Sequence, residues 1–297
     1  MQPVLSLNGI TKFYGKIQAL NNVSFEVPQG SVFGILGPNG SGKTTTLGIV
    51  LDVLKPTSGT FEFFGQPGTS TLRKDIGTLL ETPNFYHYLS GERNLAIAAE
   101  IKGKGRANIP DVLEKVNLTE RKTSKFSTYS LGMKQRLAIA SALLGNPGVL
   151  VFDEPTNGLD PVGIAEIREL IKRLAVEGKT IIMASHLLDE VEKVCTHVAI
   201  MKRGQLLVSG PVDEILVNED IVELSANNLS QLELVASALA GYTSIRKQKD
   251  CMQAFYPSGT ANLEAINQHF FNNGVILSHL LLKKKSLEAK FFELTNN

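Results

Sequence analysis

The residues Gly37-Pro38-Asn39-Gly40-Ser41-Gly42-Lys43-Thr44 set two glycines around four residues and follow them with a lysine and a hydroxyl. That order suits the phosphates of a nucleoside triphosphate. Glycines let the backbone curl until successive N–H groups face an oxygen anion, and a following helix adds the positive end of its dipole. Lys43 is placed to reach the β- and γ-phosphates, and the Thr44 hydroxyl to ligate Mg²⁺, which prefers oxygen. Nucleotide contacts are therefore expected from Gly37, Pro38, Asn39, Gly40, Ser41, Gly42, Lys43, Thr44 and Thr45. A second group is Val149-Leu150-Val151-Phe152-Asp153-Glu154, an apolar run ending in two carboxylates. The carboxyl edge of a parallel sheet is where ligands bind. There Asp153 would hold Mg²⁺ through water, and Glu154 would polarise the water that attacks the γ-phosphate.

These residues need a strand before the glycine loop and a helix after it. Val32 to Leu36 reads as the buried strand, and Thr44 to Leu54 as the helix. Val4 to Ile10, Asn22 to Val27 and Thr60 to Phe64 alternate like half-buried strands and imply an antiparallel β layer. Helical patterns from Asn94 to Leu118, broken at Gly103 to Pro110, and from Leu131 to Leu144 imply a helical insertion at about 84–145. The short apolar runs Val149 to Phe152, Thr180 to Ala184 and Val198 to Met201 alternate with the helical stretches Val162 to Glu177 and Leu187 to Val194, which predicts a parallel sheet.

Beyond Pro211 the pattern changes. Strands at Ile221 to Ser225, Thr243 to Gln248, Met252 to Tyr256 and Val275 to Leu282 and helices at Leu229 to Ala240 and Ala261 to Asn272 follow a split βαβ order. This predicts a small α+β domain of the ferredoxin-like kind, with a terminal helix from Ser286 to Leu294. The expected boundaries are 1–215 and 216–297. Lys283-Lys284-Lys285 reads as a solvated strand end before it reads as a lipid- or RNA-contacting patch.

Thirty basic and twenty-nine acidic residues leave a net charge of +1, which gives no reason to expect a nucleic-acid partner. Two isolated cysteines, Cys195 and Cys251, argue against a disulfide scaffold or zinc site and point to the reducing cytosol. No stretch approaches the roughly 18 to 20 apolar residues of a membrane span, so any membrane role must come through another chain.

Between the two groups stands Tyr129-Ser130-Leu131-Gly132-Met133-Lys134-Gln135-Arg136, and after them Asn157-Gly158-Leu159-Asp160 and Ser185-His186. In this order the motifs resemble an ABC transporter ATPase, over Val4 to roughly Pro211. The resemblance implies a P-loop NTPase fold of the ABC type: α/β, with a mixed sheet core, an antiparallel β layer and a helical insertion. It implies ATP and Mg²⁺ as ligands and two copies packed head to tail, with separate transmembrane permease subunits. Such a protein sits on the cytoplasmic face of the membrane. It further implies that Ser130 and Gly132 bind the γ-phosphate of the opposite copy, that Asp160 communicates between the two sites, and that His186 holds the γ-phosphate and the water. Tyr14 stands where the family places a ring against adenine; its other reading is a strand-edge tyrosine.

Two departures matter. The family's usual Leu-Ser-Gly-Gly-Gln has Tyr129, Leu131 and Met133 at its first, third and fifth places here. Glu81 replaces a glutamine that contacts Mg²⁺ and senses the membrane partner, so Glu81 joins Thr44 and Asp153 as an expected metal contact. Together with the extra C-terminal domain, these departures resemble the bacterial subfamily that exports bacitracin, lantibiotics and similar compounds, with antimicrobial peptides, drugs or lipid-like molecules as the expected cargo. The stretch Ser286 to Thr295 resembles the ending of export-type ATPases. A soluble ABC ATPase acting on ribosomes or DNA is the alternative, and the C-terminal domain could instead bind a small regulator.

Overall fold

The computed structural model describes residues 3–67, 75–80, 84–215, 219–257, 259–284 and 291. The chain divides into two compact units, 1–212 and 213–297.

In the first unit β1 (Pro3–Tyr14) and β2 (Ile17–Pro28) form a long hairpin, joined by β4 (Ser58–Phe63) and β5 (Gln66–Pro67) in the antiparallel order β2-β1-β4-β5. Both hairpin strands run well beyond the alternating segments expected from the sequence. They continue through register shifts near Gly9, whose φ of 63° lets the chain bulge without ending the ladder.

The second sheet has the order β10-β9-β3-β8-β7-β6. It is built from β3 (Val32–Leu36), β6 (Ile76–Leu79), β7 (Val149–Asp153), β8 (Thr180–Ser185), β9 (His197–Lys202) and β10 (Gln205–Pro211). All neighbours are parallel except β10, which folds back on β9. Strands β6 and β10 have no counterpart among the runs that the sequence pattern picks out. β6 is only four residues long and includes Gly77, where a Cβ would lie 2.3 Å from the Ala142 carbonyl. β10 is half-solvated and lacks a continuous apolar run.

The core lies between the two sheets. Val4, Leu5, Leu7, Ile10, Val23 and Val27 face Ile35, Val151, Ile182 and Ala199, and Phe25 stacks on Phe33 at 5.3 Å. Into it packs α1 (Lys43–Val50), which ends four residues before the expected Leu54. The chain turns at Asp52, whose φ is 54°, and Val53 and Leu54 donate back to the Gly48 carbonyl. The helical insertion holds α2 (Gly91–Lys102), α3 (Ile109–Lys115) and α4 (Leu131–Leu143). α2 starts before the expected Asn94 because the Ser90 hydroxyl caps the Arg93 N–H at 3.3 Å. After β7 comes α5 (Pro161–Val176), which buries Ile167, Leu170, Ile171 and Leu174 at helical spacing. After β8 comes the short α6 (Leu188–Glu192).

The second unit has its own core, centred on Val222, Leu224, Leu232, Ala254, Tyr256 and Phe270. Its four strands are β11 (Glu219–Ala226), β12 (Ser244–Lys247), β13 (Met252–Pro257) and β14 (Leu277–Lys284), with helices at Leu229–Ala236 and Leu263–Asn272. They pair antiparallel in the order β12-β13-β11-β14. The expected terminal helix from Ser286 to Leu294 falls, apart from Phe291, outside the described residues.

Candidate functional site

Three neighbouring parallel strands, β3, β8 and β7, end level with one another: Leu36 lies beside Ser185, and Ala184 beside Asp153. The glycine loop and His186 follow two of these ends, and Asp153 closes the third with Glu154 after it, so the topology gathers residues far apart in sequence at one sheet edge.

The loop is built tightly. Gly40 and Gly42 have φ of 79° and 103°, and a Cβ at Gly42 would lie 2.5 Å from Leu20. A Cβ at Gly37 would lie 2.3 Å from Ser41 Oγ, a buried hydroxyl with no hydrogen-bond partner among the described residues. The cap of α1 is Gly42, with no side chain to satisfy the first-turn N–H groups and no acidic residue in that turn. An anion is the partner such a terminus lacks.

Lys43, 6% exposed, donates to the carbonyls of Gly37 at 2.9 Å and Pro38 at 3.4 Å and lies 3.5 Å from Glu154 Oε1. The other Glu154 oxygen is 2.8 Å from His186 Nδ1. Glu154 itself has a φ of 48°, with its N–H bonded to the Ala184 carbonyl at 3.0 Å. A left-handed glutamate is strained, and here the strain swings the carboxylate away from the strand axis toward Lys43 and His186. Asp153 is 2% exposed at the end of β7. Thr44 is exposed on the first turn of α1.

The remaining expected residues lie elsewhere. Tyr14 is 45% exposed at the end of β1, with the Lys12 ammonium 5.1 Å from its ring centre. Ser130 is exposed and caps α4, accepting from the Met133 N–H at 3.3 Å. A Cβ at Gly132 would meet nothing nearer than Leu159 at 4.0 Å, so its backbone faces open space. Asp160 caps α5 by accepting from Gly163 at 2.8 Å, a local use that its type and the following Pro161 also fit. Among the described residues, no hydrogen bond or ion pair joins Ser130, Gly132 or Asp160 to Lys43, Glu154 or His186. Glu81 lies outside the described residues.

Sequence reasoning passed over Asn94. It is 2% exposed on α2 and clamps the preceding strip, accepting from the Tyr86 N–H at 2.8 Å and donating to the carbonyls of Tyr86 and Ser90 at 3.1 and 3.0 Å. A polar residue on the apolar face of a predicted helix was its only signal. Beside it lies a cavity of about 510 Å³, lined by Leu79, Leu80, Phe85, Tyr86, Ile97 and Ala138 among others.

The family model described as ABC transporter matches residues 20–157. The bacitracin transport ATP-binding protein BcrA of Enterococcus faecalis is 34% identical over 99% of this chain and 97% of its own length. This chain belongs to the ABC transporter ATP-binding proteins. It is an ATP-binding subunit that hydrolyses ATP to drive transport, which sets aside the ribosome- or DNA-acting alternative. The lantibiotic transport ATP-binding protein SrtF of Streptococcus pyogenes is 37% identical, over 76% of this chain and 97% of that relative. Among solved structures, cbiO1 from Clostridium perfringens, part of the ABC transporter complex cbiONQ, has a TM-score of 0.66 at 28% identity, covering 80% of this chain and 94% of that one. A dimeric post-hydrolysis state of the ATP-binding cassette MJ0796 bound to ADP and Pi has a TM-score of 0.63 at 27% identity, over 70% and 98%. The ATP-binding subunit thus has the mixed α/β cassette fold shared with these two proteins, one described as part of a transporter complex and the other as dimeric. No helix among its described residues is long and apolar enough to cross a membrane.

Proposed function

We propose that this ATP-binding subunit powers export of antimicrobial peptides, drugs or lipid-like compounds through a separate permease, working at the cytoplasmic face of the membrane. The names of the bacitracin and lantibiotic relatives support the cargo class. One observation carries the mechanism: Lys43, Glu154 and His186 form a connected cluster beside the phosphate loop, while among the described residues no hydrogen bond or ion pair joins Ser130 or Gly132 to it. One chain holds half a site. A second copy, packed head to tail, supplies the other half by placing its Ser130 and Gly132 on the γ-phosphate, and Asp160 communicates between the two sites.

In this reading the loop from Gly37 to Thr45 holds the phosphates and Tyr14 supports the adenine. Glu154 polarises the attacking water, with His186 fixing the carboxylate and contacting the γ-phosphate. The donor set suits Mg²⁺. Thr44 and Asp153 offer hard oxygens, the family resemblance adds Glu81, and among the described residues no cluster of three or more His, Cys, Asp or Glu could grip a metal without phosphate. Bound Mg²⁺ would neutralise charge on the phosphate oxygens. Closure is favoured because the sandwiched triphosphate makes contacts in the closed dimer that it lacks in the open one, and differential affinity is what shifts a conformational equilibrium.

The movement reaches the permease through the segment Glu81 to Arg93, where Tyr86 and Tyr88 are exposed and Tyr86 lines the cavity beside Asn94. We assign 1–215 to the nucleotide-binding domain and 216–297 to a ferredoxin-like accessory domain. The antiparallel order β12-β13-β11-β14 and the helix after β11 and after β13 support that topology. The test is a pair of variants. Glu154→Gln should bind ATP and dimerise yet barely hydrolyse, whereas Lys43→Ala should lose binding. Near-normal phosphate release by Glu154→Gln would remove Glu154 from the catalytic role.

A further inference from the structure

The residue before Ser130 is a tyrosine whose surroundings are built around its hydroxyl. Tyr129 is 4% exposed, and its phenol donates to the Arg121 carbonyl at 2.7 Å. On its other side stands Gly91, the first residue of α2. A Cβ there would lie 2.3 Å from the Tyr129 hydroxyl and 3.2 Å from its Cζ, so no side chain fits at 91 while the phenol is present. Burial holds the phenol above its ordinary pKa against the opposing pull of Arg121, which keeps it a donor. A leucine at 129 would leave the Arg121 carbonyl without this partner and a gap beside Gly91.

The same region is stitched to the permease-facing strip. Phe126 donates to the Leu89 carbonyl at 2.8 Å, Ser127 to that of His87 at 3.0 Å, and Gly91 to that of Ser124 at 3.3 Å. Phe126 packs edge-on against Phe85 at 5.2 Å and lies tilted against Tyr129 at 5.9 Å. Ser130 follows directly and caps α4. The path from strip to serine is therefore short, packed and hydrogen-bonded at each step.

We propose that Tyr129, seated in the notch left by Gly91, is a positioning residue that fixes Ser130 and the N-terminus of α4 against the strip Phe85–Ser90, so that the permease-facing segment and the γ-phosphate contact move together. The proposal rests on Ser130 acting across the dimer, as inferred above. Tyr129 touches no nucleotide; it acts through Ser130.

The experiment is a double-mutant cycle on the full chain, reading kcat at saturating MgATP, nucleotide binding by the dilute single chain, and the thermal midpoint. Tyr129→Phe keeps the ring and removes one hydrogen bond; kcat should fall about fivefold, the effect of a typical hydrogen bond, with single-chain binding unchanged. Gly91→Ala should fall further, on the order of tenfold or more, because its methyl collides with the hydroxyl. Gly91→Ala combined with Tyr129→Phe should recover to the level of Tyr129→Phe alone, since the colliding atom is gone. Additive losses, or losses that track single-chain binding or the melting point, would overturn the proposal. Ser130→Ala separates the two readings. If it turns over ATP like the unsubstituted chain, the dimer assignment fails and takes this proposal with it. If it is impaired while Tyr129→Phe is not, only the role of Tyr129 is overturned.

Discussion

Lys43 Nζ stands 3.5 Å from Glu154 Oε1 while donating to the Gly37 carbonyl at 2.9 Å, so the cation expected on the phosphates is engaged by the carboxylate and the loop together. Nucleotide binding must therefore exchange partners. In the proposed site the phosphates would take over Lys43, which would free Glu154 for the attacking water. Glu154→Gln removes the anionic competitor, so ATP affinity should stay equal or rise, while turnover should drop about 10²- to 10⁴-fold, the range of a lost general base. Titration with a fluorescent nucleotide and a phosphate-release assay read the two effects separately. Weaker ATP binding in Glu154→Gln would contradict the exchange.

His186 Nδ1 lies 2.8 Å from the second Glu154 oxygen, and the pair is what orients a carboxylate on a strained backbone. His186→Ala should lower kcat by about 10²-fold or more and leave single-chain nucleotide binding within a few-fold, because the contact matters once water attacks the γ-phosphate. A change confined to KM would assign His186 to binding alone.

How much of this was legible beforehand follows from the range of each signal. The glycine loop, its strand and its helix are contiguous in sequence, and so are Phe152, Asp153 and Glu154, so residue order alone exposed them. The level ends of β3, β8 and β7 are a non-local fact that became legible only through the order of the motifs. β6 and β10 were missed because a four-residue strand around Gly77 and a half-solvated return strand carry too weak a periodicity. Tyr129 was visible as a departure, but its match to Gly91 was not, since nothing in the local pattern says that the start of α2 and the approach to α4 touch. The expected helix runs on to Leu54, whereas Leu54 folds back over Gly48, a non-local contact that the helical pattern does not show.

Lys102 gives a pH signature. Its amine donates to the carbonyls of Ser141 and Ala142 at 2.8 and 3.2 Å, and burial, with the charge of Lys104 second, lowers its pKa from 10.5 to about 8. Between about pH 8 and 10.5 the unfolded chain holds a proton that the folded chain has released, so this residue makes stability rise with pH across that window. Below about pH 8 the folded chain carries the full penalty. Relative to Lys102→Met, the unsubstituted chain should gain on the order of 1 kcal/mol between pH 8 and 10, after discounting for partial solvent screening, on top of a constant offset from the two lost hydrogen bonds. Urea melts of both proteins at several pH values measure it. A difference that stays flat with pH would mean that the amine keeps its ordinary affinity for protons.

Glu81 introduces a carboxylate where the family uses an amide. A carboxylate binds a hard cation more strongly but repels the γ-phosphate when the metal is absent. Hydrolysis should therefore depend more steeply on Mg²⁺ concentration in this chain than in Glu81→Gln, with the gap closing at saturating Mg²⁺. Superimposable Mg²⁺ curves would show that residue 81 has no electrostatic influence on the metal site.

The two units carry separate cores: Val222, Leu224, Ala254 and Phe270 in one, and Leu5, Phe33, Ile35 and Val151 in the other. Every residue assigned to the nucleotide lies within 1–212, and so do the strands whose ends gather them. A chain ended after Val212 should consequently fold, bind ATP with affinity within about twofold of the full chain, and in the Glu154→Gln background still dimerise with ATP. The measurements are circular dichroism, nucleotide titration and light scattering with and without MgATP. Loss of nucleotide binding by a folded truncated chain would mean that the accessory unit shapes the phosphate site. Retained binding with lost dimerisation would place its contribution at the joint between copies, where differential affinity for the closed state is generated.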